Sequence, residues 1–221
     1  PGLEEALGVG VNIVYKTGGG GAVGFSELHR SAPDGCTFSN TVVPNVIISS
    51  KGEGVGYKPG DFAYIGMTES SAGTLMVPKD SKYKTIEDFI AAANENPGML
   101  TVAGTGGSGL SRWNQLESVL GIETTYVPVG GGVGKMIPML AGSHVDGAAT
   151  GANHATKHKG IGDAILVAGA NEVPTLPVVP NEPDWNYVIT WGLMAPPGTP
   201  SDIVETLNAA LRSAASDHVL H

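Results

Sequence analysis

Three glycine-rich segments decide the fold of this chain: Thr17-Gly18-Gly19-Gly20-Gly21-Ala22-Val23-Gly24, Gly104-Thr105-Gly106-Gly107-Ser108-Gly109 and Val129-Gly130-Gly131-Gly132-Val133-Gly134. Each segment follows an apolar run typical of a β-strand and precedes a run with helical spacing. This order places free backbone N–H groups at the start of a helix, and such groups attract carboxylate and phosphate anions. The segments therefore predict an α/β protein that holds an anionic small molecule mainly through its turns.

Composition restricts the class of protein further. The 221 residues are 41% hydrophobic and 15% charged, which excludes a disordered chain, and no apolar run approaches the length of a bilayer span. A net charge of −9 argues against nucleic acid or an anionic membrane surface as a partner. The single cysteine, Cys36, forms no intrachain disulfide, and its place in an apolar run predicts a buried small side chain.

Strand-like and helix-like segments alternate along the chain. We expect strands at 11–15, 36–43, 63–68, 74–77, 100–103, 124–129, 145–150, 164–168 and 188–195, and helices at 22–30, 85–95, 110–120, 135–141 and from 199 onwards. Thr85 and Asp88 have the spacing of a capping box at one helix start. This alternation predicts βα units around a largely parallel sheet, and the number of strands suggests two lobes.

Two glycine motifs match nucleotide-binding patterns incompletely. Gly104-x-Gly106-x-x-Gly109 has the dinucleotide spacing, but the next predicted strand ends without the acidic residue that binds the ribose. The segment 130–135 resembles a P-loop, yet it has Val129 in place of the first glycine and Met136 in place of the Mg²⁺-binding Ser or Thr. A nucleotide-dependent enzyme using the 104–109 turn therefore remains an alternative hypothesis.

The chain offers few side chains for catalysis or metal binding. His154 and His158 have helical i, i+4 spacing, but the pattern lacks the glutamate of a zinc protease and has lysine neighbours, so we expect exposed polar residues and no metal. Arg112 follows the second glycine segment and is either a carboxylate clamp or part of a surface salt bridge. We expect no catalytic residues and no cofactor.

The order of motifs resembles the periplasmic solute-binding proteins of tripartite tricarboxylate transporters, the TctC or Bug family. The resemblance rests on a series of stretches that covers nearly the whole chain: 18–24, Ala32-Pro33-Asp34-Gly35, 85–89, Asn96-Pro97-Gly98, 103–108, Val127-Pro128-Val129-Gly130-Gly131, 140–146, 174–180 and 191–200. Cys36 stands where the family usually has tyrosine.

The resemblance implies a type II periplasmic-binding fold with two α/β lobes. It assigns 1–73 and 183–221 to lobe 1 and 74–182 to lobe 2, with hinges near 70–76 and 180–188. It also implies that the N-terminal strand and the C-terminal helices of the family are missing here, so that the chain is a piece of a longer polypeptide. The protein would be periplasmic and monomeric, would bind a small carboxylate, and would deliver it to the integral-membrane transporter subunits.

The resemblance also assigns a binding site in the second lobe. Ligand-binding residues would be Thr105, Gly106, Gly107, Ser108, Pro128, Val129, Gly130 and Thr150. Family members often carry an aspartate near 150–153 that meets an α-amino group, and this chain has Thr150-Gly151-Ala152-Asn153 there. We therefore expect a plain carboxylic acid, such as a dicarboxylate or tricarboxylate, as the ligand. A ligand-sensing lobe of a signalling system is a further alternative.

Overall fold

The computed structural model describes residues 1–169, 173, 176 and 179–217. The chain divides into two compact units, one formed by Pro1–Ser70 with Thr190–His221 and the other by Ser71–Ile189. Among the described residues, no helix combines the length and the apolar character that crossing a bilayer requires. Each unit contains strands and helices, so the α/β class predicted from the sequence is confirmed.

Eight helices and eight strands are described, together with short 3₁₀ turns at Gly19–Gly21 and Pro59–Asp61. In chain order they are α1 (Gly2–Leu7), α2 (Ala22–Arg30), β1 (Ser39–Val43), α3 (Asn45–Ser49), β2 (Ala63–Pro78), α4 (Ile86–Glu95), β3 (Thr101–Thr105), α5 (Gly106–Leu120), β4 (Thr125–Val129), α6 (Val133–Ala141), β5 (Gly147–Gly151), α7 (Ala152–Lys157), β6 (Gly162–Ala168), β7 (Asn181–Glu182), β8 (Val188–Ala195) and α8 (Ser201–Asp217).

The first unit is built on a small antiparallel arrangement of β1, β8 and the first half of β2. Strand β8 lies between the other two and pairs with β1 from Ser39↔Met194 to Val43↔Thr190. Helix α2 packs Phe25 and Leu28 into one apolar cluster, and α8 contributes Leu207 and Leu211 to another. Helix α1 packs against α8.

The second unit contains a mixed six-stranded sheet in the order β4-β3-β5-β2-β6-β7. Strand β3 is parallel to both β4 and β5, whereas the second half of β2 is antiparallel to β5 and β6. Only part of the sheet is therefore parallel, in contrast to the largely parallel sheet expected. Apolar side chains cover both faces: Trp113 and Leu116 of α5 on one, and Met136 and Leu140 of α6 on the other.

Several local predictions are confirmed. Strand β8 has the predicted bounds, and the helix predicted at 22–30 is α2. The capping box of α4 is present, because the Asp88 N–H donates to Thr85 Oγ1 and the Asp88 carboxylate accepts from the Thr85 N–H. The residues that favour each of these elements lie within a few positions of it in the sequence, so the local pattern is enough to predict the element.

The strand predicted at 11–15 is wrong. These residues form no strand in the described structure, and Ile13, Val14 and Tyr15 are 72%, 64% and 83% exposed. A strand needs a neighbour that takes its backbone hydrogen bonds, and no described strand of this unit pairs with the segment. The β-branched residues of 11–15 indicate only that this segment could pack in a sheet, not that a neighbouring strand is present.

Three other predictions need correction. Cys36 is exposed and precedes β1, because the side chain of Asp34 accepts a hydrogen bond from its N–H and holds it in a turn. The strands predicted at 63–68 and 74–77 form one strand, β2, in which the Gly73 N–H donates to Tyr187 O. Helix α5 starts four residues before position 110, since its glycines form the first helical turn.

Candidate functional site

The carboxyl ends of three parallel strands meet at one edge of the sheet in the second unit. In register, Thr105 of β3 lies opposite Val129 of β4, and Gly104 lies opposite Ala149 of β5. A helix begins directly after β3 and β5 and within four residues of β4. Such an edge is where α/β proteins bind ligands, because several helix N-termini present their N–H groups together.

Helix α5 gives the strongest of these N-termini, because it is fifteen residues long and follows β3, the middle one of the three parallel strands. Thr105 is the N-cap residue, yet its side chain makes no capping hydrogen bond. Gly106, Gly107 and Ser108 form the first turn of the helix. The first N–H groups of α5 are therefore not satisfied by the residue in the capping position.

The other predicted site residues lie at the same edge of the sheet but differ in exposure and in the groups that they could offer a ligand. Pro128 and Gly130 are exposed, and a side-chain carbon added at Gly130 would contact nothing within 4 Å. Val129 packs its side chain into the apolar cluster under α6, so it has only its backbone to offer a ligand. Thr150 is 2% exposed, and its hydroxyl has no hydrogen-bond partner among the described residues.

Asn153 occupies the position where the family resemblance led us to look for an acidic residue. Its Oδ1 accepts hydrogen bonds from the Ser71 hydroxyl at 3.1 Å and from the His154 N–H at 2.8 Å. The Asn153 N–H in turn donates to Ser71 Oγ at 3.2 Å. These bonds tie the first turn of α7 to β2, so the amide oxygen of Asn153 already has a structural role.

Arg112 is the main feature of this region that sequence reasoning left undecided. It is 2% exposed, which rules out the surface salt bridge that we considered. Its Nη2 donates to Ala149 O at 3.1 Å, and its Cζ lies 5.3 Å from the centroid of the Tyr187 ring. Burial lowers the pKa of the guanidinium, while the nearby tyrosines Tyr187 and Tyr126 act in the opposite direction. An arginine still remains protonated at physiological pH.

Two further buried polar groups accompany Arg112. The Tyr126 hydroxyl and the Trp185 indole N–H have no hydrogen-bond partner among the described residues, and Trp185 is fully buried. Burial raises the pKa of Tyr126, whereas the charge of Arg112 lowers it. By contrast, the other buried indole, that of Trp113, donates to Thr124 Oγ1 at 2.7 Å. Unsatisfied groups of this kind are rare in a folded protein and call for an explanation.

The two histidines of the His154–His158 pair lie in and just after α7, with their rings stacked 6.4 Å apart. Within the described ranges, no group of three or more His, Cys, Asp or Glu side chains could hold a metal ion. His154 and His158 are half-buried, whereas we expected them to be exposed.

Comparison with known proteins places this architecture in a family. The model of the tripartite tricarboxylate transporter family receptor, TctC, matches residues 1–219. Among curated proteins, the UPF0065 protein in the tcbD-tcbE intergenic region of Pseudomonas sp. strain P51 is 28% identical to this chain in an alignment that covers 96% of it. The chain spans 66% of the length of that relative.

Solved structures of similar fold agree with this placement. MatC (Rpa3494) from Rhodopseudomonas palustris, with bound malate, has a TM-score of 0.86 at 24% identity over 96% of this chain and 76% of its own. The periplasmic binding protein BugD has a TM-score of 0.85 at 25% identity, over 96% of this chain and 74% of its own. The fold is therefore that of the periplasmic binding proteins, and the chain belongs to the TctC family of tripartite tricarboxylate transporter receptors.

Proposed function

We propose that this protein is a periplasmic receptor that captures a small carboxylate and delivers it to the membrane subunits of a tripartite tricarboxylate transporter. The observation that carries the proposal is the N-terminus of α5. Its first N–H groups lie at the carboxyl end of β3, the middle one of the three parallel strands, and the N-cap residue Thr105 does not satisfy them with its side chain. The helix dipole adds a partial positive charge at the same place, which favours an anion.

Membership of the TctC family supports the transport role, and the malate bound in MatC supports a carboxylate ligand. A nucleotide fits less well, because the strand after the glycine motif, β4, ends at Val129 in the apolar cluster rather than at an acidic residue. The site we propose consists of Thr105, Gly106, Gly107, Ser108, Pro128, Val129, Gly130 and Thr150.

The chemistry near 150–153 favours a plain carboxylic acid over an amino acid. An α-ammonium group needs an acidic partner, and Thr150, Gly151, Ala152 and Asn153 provide none. The oxygen of Asn153 already accepts two hydrogen bonds, so it is a weak partner for a cation. Malate and succinate are therefore suitable first probes.

Titration calorimetry with a matched pair of variants tests this function. Gly130→Val should lower the affinity for the carboxylate at least tenfold, because the new side chain would occupy space at the proposed site. The added Cβ would meet nothing within 4 Å, so we expect the fold to tolerate the substitution. Gly160→Val is the control, since Gly160 also has open space and belongs to the turn after α7. ADP and NAD serve as negative controls.

The proposal fails if malate, succinate and citrate all give no heat with the wild-type protein, or if a nucleotide binds at micromolar concentration instead. Equal carboxylate affinities in wild type, Gly130→Val and Gly160→Val would show that the turn after β4 is not part of the binding site.

A further inference from the structure

We propose that Arg112 binds a carboxylate of the ligand directly, with the indole N–H of Trp185 and the hydroxyl of Tyr126 as further hydrogen-bond donors. This inference rests on the proposed function and adds to it the residue that supplies the positive charge. The proposed site otherwise consists of backbone and neutral side chains, in a chain whose net charge is −9.

Arg112 carries a buried charge that no acidic side chain of the described structure balances. Its guanidinium is almost fully buried and donates one described hydrogen bond, from Nη2 to Ala149 O, which leaves the donors on Nε and Nη1 without partners in the described structure. The side-chain ion pairs found there join Lys16 with Glu27, His29 with Asp61 and Lys79 with Asp163, and none involves Arg112. A buried ion of this kind is costly unless an anion completes its coordination.

The side chains of Arg112 and Trp185 both lie beside Gly73. A side-chain carbon built on Gly73 would lie 3.1 Å from the Trp185 ring and 3.3 Å from Cδ of Arg112, so both side chains flank this glycine. The ring of Tyr187 lies beneath the guanidinium. The Arg112 cation and the unpaired Trp185 N–H therefore belong to side chains that flank the same glycine, and a carboxylate can accept hydrogen bonds from both kinds of donor.

The partner of Arg112 and the Tyr126 hydroxyl both lie near the start of α5. Ala149, which accepts from Arg112, pairs in register with Gly104, the residue just before the N-cap of the helix. The Tyr126 hydroxyl lies 2.5 Å from the positions that side-chain carbons of Gly104 and Gly109 would occupy. Ala149 and the Tyr126 hydroxyl therefore lie at the end of β3 where α5 begins, and the dipole of this helix favours the same negative charge as Arg112 does.

A carboxylate suits these donors better than a neutral ligand would. The planar guanidinium matches the planar carboxylate and can donate two parallel hydrogen bonds to it, and both groups are charged. A neutral amide or alcohol would leave the buried charge uncompensated. Arg112 should therefore select for the ionised acid.

Arginine side-chain NMR gives a direct test, because the chain has only three arginines, Arg30, Arg112 and Arg212. Arg30 and Arg212 are exposed, and Arg112 is buried. In protein labelled with [¹⁵N]arginine, the Nε–H signal that disappears in Arg112→Lys is that of Arg112. Saturation with malate should shift this signal, while those of Arg30 and Arg212 stay in place.

Calorimetry with malate gives the second readout. Arg112→Met should weaken binding at least about 30-fold, the loss typical of truncating one partner of a buried charged pair. Arg112→Lys should recover part of the affinity, because it keeps the charge. Arg30→Met, which removes an exposed arginine, should stay within about twofold of wild type.

The inference is overturned if wild-type protein binds malate while the Arg112 signal does not move and Arg112→Met binds within threefold of wild type. That result leaves the proposed function intact. Absence of binding of malate, succinate and citrate to the wild type overturns the proposed function and this inference together. If Arg112→Met does not fold, the inference is tested by the Arg112 Nε–H shift in the wild-type protein and by the malate affinity of Arg112→Lys. An unmoved signal together with wild-type affinity in Arg112→Lys would then overturn it.

Discussion

Arg112→Met should make the ligand-free protein more stable while it weakens ligand binding. The substitution replaces a buried cation by an apolar side chain of similar length, in a region where the guanidinium has one described hydrogen bond. A residue kept for structural reasons would show the opposite effect on stability. A residue kept for ligand binding can cost stability, as is common at functional sites.

The expected increase in the free energy of unfolding of Arg112→Met is the sum of three contributions. Burying an ion without a counter-charge costs several kcal/mol even after relaxation, and we take about 5–6 kcal/mol for Arg112. Methionine loses the hydrogen bond to Ala149, about 2 kcal/mol for a charged donor. It also loses the cation–π contact with Tyr187, about 2 kcal/mol for a desolvated pair. The balance is a stabilisation of about 1–2 kcal/mol, and each kcal/mol corresponds to a rise of about 2–4 °C in Tm for a chain of this size.

Urea unfolding followed by tryptophan fluorescence measures this change. Trp113 and Trp185 lie in the unit that contains Arg112, whereas Trp191 lies in the other unit. The comparison is therefore made in a Trp191→Phe background, so that the signal reports on the second unit. Arg112→Lys is the matched control and should not gain stability, because it keeps a buried charge. A loss of 2 kcal/mol or more in Arg112→Met would refute the reasoning.

Three further predictions concern the same unit. Gly104→Ala should destabilise it by about 1–3 kcal/mol in urea unfolding, because the new carbon would lie 2.5 Å from a tyrosine hydroxyl; an unchanged midpoint would contradict this. Hydrogen bonds from the N–H groups of Lys84 and Thr85 lower the pKa of Asp88, so its stabilising effect is present above the ordinary value of 3.8 and is lost as the pH falls through the lowered pKa. The Tm difference between wild type and Asp88→Asn should therefore shrink at acid pH, and a constant difference would exclude this cause. Ser108→Ala should weaken malate binding by about 1 kcal/mol in calorimetry, and an unchanged affinity would remove this hydroxyl from the site.

Local signals in the sequence were enough to identify several elements in both units. The glycine segments, the capping pair Thr85 and Asp88, and the β-branched run of β8 act within one or two turns of chain, so they identify elements without knowledge of the fold. The same signals placed Thr105 and Gly130 at the ends of β3 and β4. Whether these residues bind the ligand stays a prediction.

Other features depend on contacts between distant parts of the chain. The segment 11–15 has strand-forming residues, but a strand exists only where a partner takes its hydrogen bonds. Arg112 lies next to Trp113 on a helix, and nothing in its sequence neighbours shows that Ala149 and Tyr187 would enclose it. The unpaired indole of Trp185 is likewise a property of the packed structure. Side-chain burial, rather than motif spacing, reveals these residues.

The carboxylate-binding function itself is tested most directly by a thermal-shift screen of the wild-type protein. Malate, succinate, citrate and monocarboxylates form the panel, with ADP and NAD as controls. A ligand that binds only the folded state raises Tm by mass action. We predict a rise of several degrees with at least one carboxylate and none with the nucleotides, whereas a flat carboxylate panel together with a nucleotide response would contradict the account.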